Sequence, residues 1–78
     1  MSFKFLRIKI NQVVTLLGRE YPIGEIIEIS DDLRFRWASN DEVLLAICLE
    51  KITVMDGSGE IKSTSSQINY LKDFSNAQ

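Results

Sequence analysis

The chain contains no histidine. The side chain that most often acts as a general base near neutral pH, and most often ligates transition metals, is therefore missing. Cysteine occurs once, as Cys48, so no disulfide can close within the chain and no cysteine-rich zinc site can form. Cys48 lies in the run Val43-Leu44-Leu45-Ala46-Ile47-Cys48-Leu49, with only Lys51 as a nearby cation; that setting predicts a small buried hydrophobe rather than a reactive thiol. The run is seven residues long, far short of the roughly 20 needed to cross a bilayer, and no membrane association is expected. The first ten residues alternate charged with apolar side chains and form no secretory leader. The expectation is synthesis in a reducing, cytoplasm-like compartment, without secretion.

Catalytic groupings are missing as well. Asp31 and Asp32 are adjacent, and along an extended chain they point in different directions instead of converging on one substrate. Asp56-Gly57-Ser58-Gly59-Glu60 resembles a fragment of a calcium loop but lacks the length and the distal glutamate. Its glycines are followed by no lysine at phosphate-loop spacing. A tight turn accounts for it fully. No catalytic residue, metal, cofactor or small-molecule substrate is expected, and the chain is read as a non-enzyme.

What is there is a single small domain: 78 residues, 45% hydrophobic and 26% charged. A chain of this size buries only about 60–65% of its unfolded surface. The net charge of -2 is unevenly spread. Lys4, Arg7, Lys9 and Arg19 make residues 1–19 purely basic, and Glu20, Glu25, Glu28, Asp31 and Asp32 make residues 20–32 purely acidic. Either the two segments lie side by side as strands with opposite charges facing, or the charges complement another copy or partner.

Residues 1–29 read as β-rich. In 3–10, Leu6, Ile8 and Ile10 share one face and Phe3, Phe5, Arg7 and Lys9 the other, the period of a strand. Residues 13–17 and 25–29 form two more β-rich runs, expected to pair as a hairpin closed over residues 18–24. Within that closure, Tyr21-Pro22-Ile23-Gly24 is a turn with Pro22 second and Gly24 fourth. Residues 30–38 read as an extended arm, with Leu33, Phe35 and Trp37 alternating with Arg34 and Arg36. Ser39-Asn40-Asp41-Glu42 is a capping box that opens a helix in 39–51. A β-hairpin follows over 52–62, turning at Asp56-Gly57-Ser58-Gly59. A second capping pattern, Thr64-Ser65-Ser66-Gln67, opens a final helix in 64–74 with Ile68, Leu71 and Phe74, or Tyr70 and Phe74, inward. The fold class is α+β: small antiparallel hairpins, one central apolar helix and a short C-terminal helix.

The central helix is apolar nearly all round, which normally means burial on several sides. Val13-Val14, Leu16-Leu17 and Ile26-Ile27 also place bulky groups on both faces of a sheet. Four or five such side chains left in water forgo on the order of 6–15 kcal/mol, comparable to a domain's whole stability. Two arrangements avoid leaving the helix bare: either it packs across both hairpins and hides everything itself, or a neighbouring chain covers part of it. The second is expected, with Phe3, Phe5, Phe35, Trp37 and Leu45 at the contacts and Trp37 as the main anchor. A different class of function would use Lys4, Arg7, Lys9, Arg34 and Arg36, with the interleaved rings, as a patch for nucleic acid or one host protein. The acidic balance disfavours nucleic acid.

Two stretches resemble small structural proteins of tailed bacteriophages. Gly18-Arg19-Glu20-Tyr21-Pro22-Ile23-Gly24-Glu25-Ile26-Ile27-Glu28-Ile29 is similar to the G-x-x-Y-x-x-G-[DE]-x-I-x-[IL] hairpin of little SH3-like modules in phage head and tail gene clusters. Phe35-Arg36-Trp37-Ala38-Ser39, a helix, and then Ile52-Thr53-Val54-Met55-Asp56-Gly57 look like the segment of phage proteins where a short helix leads into an I-x-V-x-D-G turn. Together they cover about half of the chain. The resemblance implies a structural or connector role, partners that are copies of the chain or larger virion proteins, and residence in the host cytoplasm and then the particle. The capped apolar helix departs from an SH3-like barrel, so a barrel is not expected.

Overall fold

The computed structural model describes residues 5–73. Strand β1 (Arg7–Ile10) sits inside a four-stranded antiparallel sheet of order β4-β1-β5-β6, with β4 (Ile26–Glu28), β5 (Ile52–Asp56) and β6 (Gly59–Glu60). The period-two pattern of β1 decides its two faces. Leu6, Ile8 and Ile10 are buried with Ile52 and Val54, while Arg7 and Lys9 stay on the solvent side. There Arg7 pairs with Glu28 at 3.8 Å and Lys9 with Glu60 at 2.8 Å. The basic first strand and the acidic segment thus lie side by side, in the register Arg7↔Glu28.

Helices α1 (Asp31–Ala38), α2 (Asp41–Cys48) and α3 (Thr64–Leu71) gather over the apolar face, α2 and α3 against β5 and α1 against the other two helices. A separate hairpin, β2 (Val14–Leu16) with β3 (Arg19–Tyr21), adds Leu16 and Tyr21 to the same core. The α+β class is as the sequence predicts, including the 52–62 hairpin, which turns at Asp56-Gly57-Ser58-Gly59.

Four local expectations are corrected. Segments 13–17 and 25–29 do not pair with each other. Leu17 and Gly18, at φ 51° and 79°, form a two-residue turn of the kind whose twist matches antiparallel strands, so β3 folds straight back on β2 and leaves β4 to pair with β1. The phage-like stretch 18–29 is therefore split between two sheets. The turn near Pro22 is displaced by one residue: Glu25 N–H donates to the Pro22 carbonyl at 3.3 Å, which makes Gly24, at φ 91°, the third position.

Residues 30–38 are no extended arm. Arg34, Trp37 and Ala38 are buried, an i, i+3, i+4 spacing that belongs to a helix; the alternation of apolar and basic residues hid it because Arg34 counts as outward-facing. Asp31 and Asp32 in the first turn and Arg36 in the last suit the helix dipole.

The caps also shift. Asn40, not Ser39, caps α2, accepting from Val43 N–H at 3.1 Å, while Ser39 closes α1 by donating its hydroxyl to the Phe35 carbonyl at 2.7 Å. Ser63 caps α3 by accepting from Ser66 N–H at 3.1 Å. That helix ends at Leu71, which is buried, and Phe74 lies outside the described residues. Gln67, the expected capping partner, instead accepts from Val54 N–H and donates to the Ile61 carbonyl, both at 2.9 Å. It extends the sheet's hydrogen bonding past the end of β6.

Helix α2 stops without glycine. Lys51 N–H donates to the Ala46 carbonyl at 2.9 Å and Glu50 N–H to the Ile47 carbonyl at 3.0 Å, the paired bonds of a Schellman end, with Glu50 at φ 61°. A residue with a Cβ in that conformation costs about 1–2 kcal/mol, against about 0.4–1 kcal/mol of extra unfolded-chain entropy for glycine. Glu50→Gly is therefore expected to stabilise the fold by about 0.5–1 kcal/mol, several degrees in a thermal melt. A lowered midpoint would show that the Glu50 side chain contributes something the strain does not outweigh.

Candidate functional site

The 3.6-residue period distributes the apolar run of α2 over two faces. Val43, Ala46 and Ile47 are buried against the core. Leu45 and Leu49 remain 58% and 54% exposed, and Cys48 beside them is exposed rather than buried. The exposed stripe comprises Glu42, Leu45 and Leu49, at i, i+3 and i+7. Hairpin β2–β3 runs alongside, and Val14, Thr15 and Leu16 complete a shallow groove of about 170 Å³, with Glu42 and Lys51 among its lining residues.

The other expected contact residues scatter. Trp37 is only 5% exposed and packs against Tyr21, ring centroids 6.3 Å apart at 56°. It is a core residue, not a docking anchor, because α1 turns it inward where an extended arm would have left it free. Phe35 is 67% exposed on α1. Phe5 lies under the Arg7 guanidinium, 4.5 Å from the ring centroid. Phe3 falls outside the described residues.

Among the described residues the basic-aromatic patch is not assembled. Lys4 lies outside the described residues. Arg7 and Lys9 are held by Glu28 and Glu60 on the open face of the sheet, whereas Arg36 is exposed on α1. Arg34 is 1% exposed; it donates from Nε to the Leu71 carbonyl at 3.1 Å and from Nη2 to the Tyr70 carbonyl. Its cation closes the C-terminal end of α3, where the helix dipole is negative, and is out of reach of a phosphate.

A second, more polar groove of about 420 Å³ includes Asn11, Thr53, Glu60 and Gln67 in its lining. These groups serve one another: Asn11 donates to the Glu50 carbonyl and to Thr53 Oγ1, and Glu60 holds Lys9. In the 56–59 turn, Ser58 donates its backbone N–H and its hydroxyl to Asp56, both at 2.9 Å. The backbone bond first, and then the hydroxyl, hold the Asp56 carboxyl below its ordinary value of 3.8. Among the described residues no group of three or more His, Cys, Asp or Glu converges as a metal site, and no helix is long and apolar enough to cross a membrane.

Leu49 was not singled out from sequence as a contact residue, and Glu42 and Lys51 entered only as a capping residue and as the cation nearest Cys48. The signal for Glu42 and Leu49 was the 42-45-49 spacing, but it could not be separated from the equally apolar 43-46-47 face until packing showed which side is inward. No family model, curated protein or solved structure matches the chain.

Proposed function

We propose that the chain is a non-enzymatic assembly subunit that docks through the outer face of α2 and the adjoining strand β2, and, following the phage resemblance of its motifs, that it is a minor structural protein of a tailed-phage particle. One observation carries the reading. Among the described residues fourteen apolar side chains already form a closed core, Trp37 included, yet Leu45 and Leu49 stay exposed on a groove. Complete burial of a leucine is worth about 1.5–3 kcal/mol, so covering these two, each more than half exposed, recovers on the order of 2–3 kcal/mol.

Leu45→Gln with Leu49→Gln tests this. Glutamine is a good helix former, so unfolding free energy should change by no more than about 0.5 kcal/mol. Association, read by sedimentation or by the chain's recovery in purified particles, should fall at least about tenfold, equivalent to 1.4 kcal/mol. The wild-type contact should survive high salt, whereas a steep salt-dependent loss would favour binding through the basic side chains. Unchanged association in the double variant removes this face from the reading.

A further inference from the structure

Resting on that assembly reading, we infer that the α2 groove is the contact face of a two-fold pair of chains, in which the two α2 helices run antiparallel and Glu42 of each chain meets Lys51 of the other. A two-fold contact uses the same patch on both subunits, so residue i meets j while j meets i. The groove has the matching layout. Glu42 and Lys51 both line it, from the first turn of α2 and from just beyond its last, and Leu45 and Leu49 lie between them. The midpoint between Leu45 and Leu49 is residue 47, and that between Glu42 and Lys51 falls between residues 46 and 47. Glu42 precedes the two leucines and Lys51 follows them on the same groove, so one two-fold axis across the middle of α2 sets leucine near leucine and the Glu42 end of each chain near the Lys51 end of the other.

The parallel alternative would place Glu42 against Glu42 and Lys51 against Lys51. Among the described residues neither Glu42 nor Lys51 is in an ion pair, so both charges are available to the second chain. Antiparallel helices also bring opposite dipole ends together. One short helix with a hairpin flank is a small interface by the usual standard of about 800 Å² per partner. The pair is therefore weak, with a Kd on the order of 0.1 mM.

Cys48 is the only thiol in the chain, precedes Leu49 and is exposed, between one and two residues from the proposed axis. A short bismaleimide added to wild-type protein at about 0.1–1 mM, a range that spans the expected Kd, should yield a covalent dimer, and Leu45→Gln with Leu49→Gln should abolish it. Glu42→Lys and Lys51→Glu should each weaken self-association in sedimentation about five- to tenfold, and the two together in one chain should restore it, with circular dichroism confirming that each variant folds. Self-association that ignores the single swaps, or that the double swap fails to restore, overturns the antiparallel pair and leaves the assembly reading standing. A wild-type chain that stays monomeric across that range and gives no crosslink overturns the pair as well; the assembly reading then survives only if the leucine variant loses a particle partner.

Discussion

Trp37→Ala is expected to destabilise the fold by about 3–5 kcal/mol, the usual cost of emptying a large aromatic site in a core. A 78-residue domain has about 4–12 kcal/mol in total at 0.05–0.15 kcal/mol per residue, so the variant should be largely unfolded near physiological temperature or melt far below the wild type. Two features make the loss large. The indole ties α1 to hairpin β2–β3 through Tyr21, and Trp37 is buried together with Ala38 on the inner side of α1. Urea unfolding followed by circular dichroism measures the effect. Trp37→Phe should retain most of the packing. As the only tryptophan, Trp37 should also emit at shorter wavelength in the folded chain than in urea. A Trp37→Ala protein that melts like wild type but no longer associates would return this residue to the docking surface.

Arg34→Ala should cost about 2–4 kcal/mol, because two carbonyls at the end of α3 lose charge-assisted donors and a long side chain leaves a void. The guanidinium also lies 5.1 Å from the centroid of the Tyr70 ring, an attraction lost with it. Part of the loss is offset: a cation no longer has to be desolvated, and among the described residues its Nη1 has no hydrogen-bond partner. Arg34→Leu, which fills more of the space, should accordingly be less harmful than Arg34→Ala. Arg34→Lys should behave nearly as badly as alanine, since a single ammonium cannot reproduce the fork that serves the Tyr70 and Leu71 carbonyls. Hydrogen exchange should quicken first in the last turn of α3. If Arg34→Ala keeps full stability and loses nucleic-acid binding instead, the side chain must leave the core to act, and the basic-patch function gains its footing.

These two residues also mark where reading the sequence stopped. Leu33, Phe35 and Trp37 alternate with two arginines, and alternation normally signals an extended chain. The helix forms because a partner for Arg34 exists at the far end of the chain, on α3. Nothing between residues 30 and 38 encodes that partner. Glu50 is similar: its left-handed backbone carries no glycine signal, and it is held there by Asn11, whose amide donates to the Glu50 carbonyl at 3.1 Å from the end of β1.

By itself the sequence determined the inward row Leu6, Ile8 and Ile10, the polar start signals near residues 40 and 63, the turn at 56–59, and a surplus of apolar side chains, since strand period, caps and tight turns are set by neighbours a few residues apart. Only the tertiary structure decided that β4 joins β1, that Trp37 and Arg34 go inside, and that Leu45 and Leu49 rather than Val43 and Ile47 face outward. Each of those outcomes turns on which distant segment arrives to cover a surface, and two equally apolar faces of one helix carry no local mark of which will be covered.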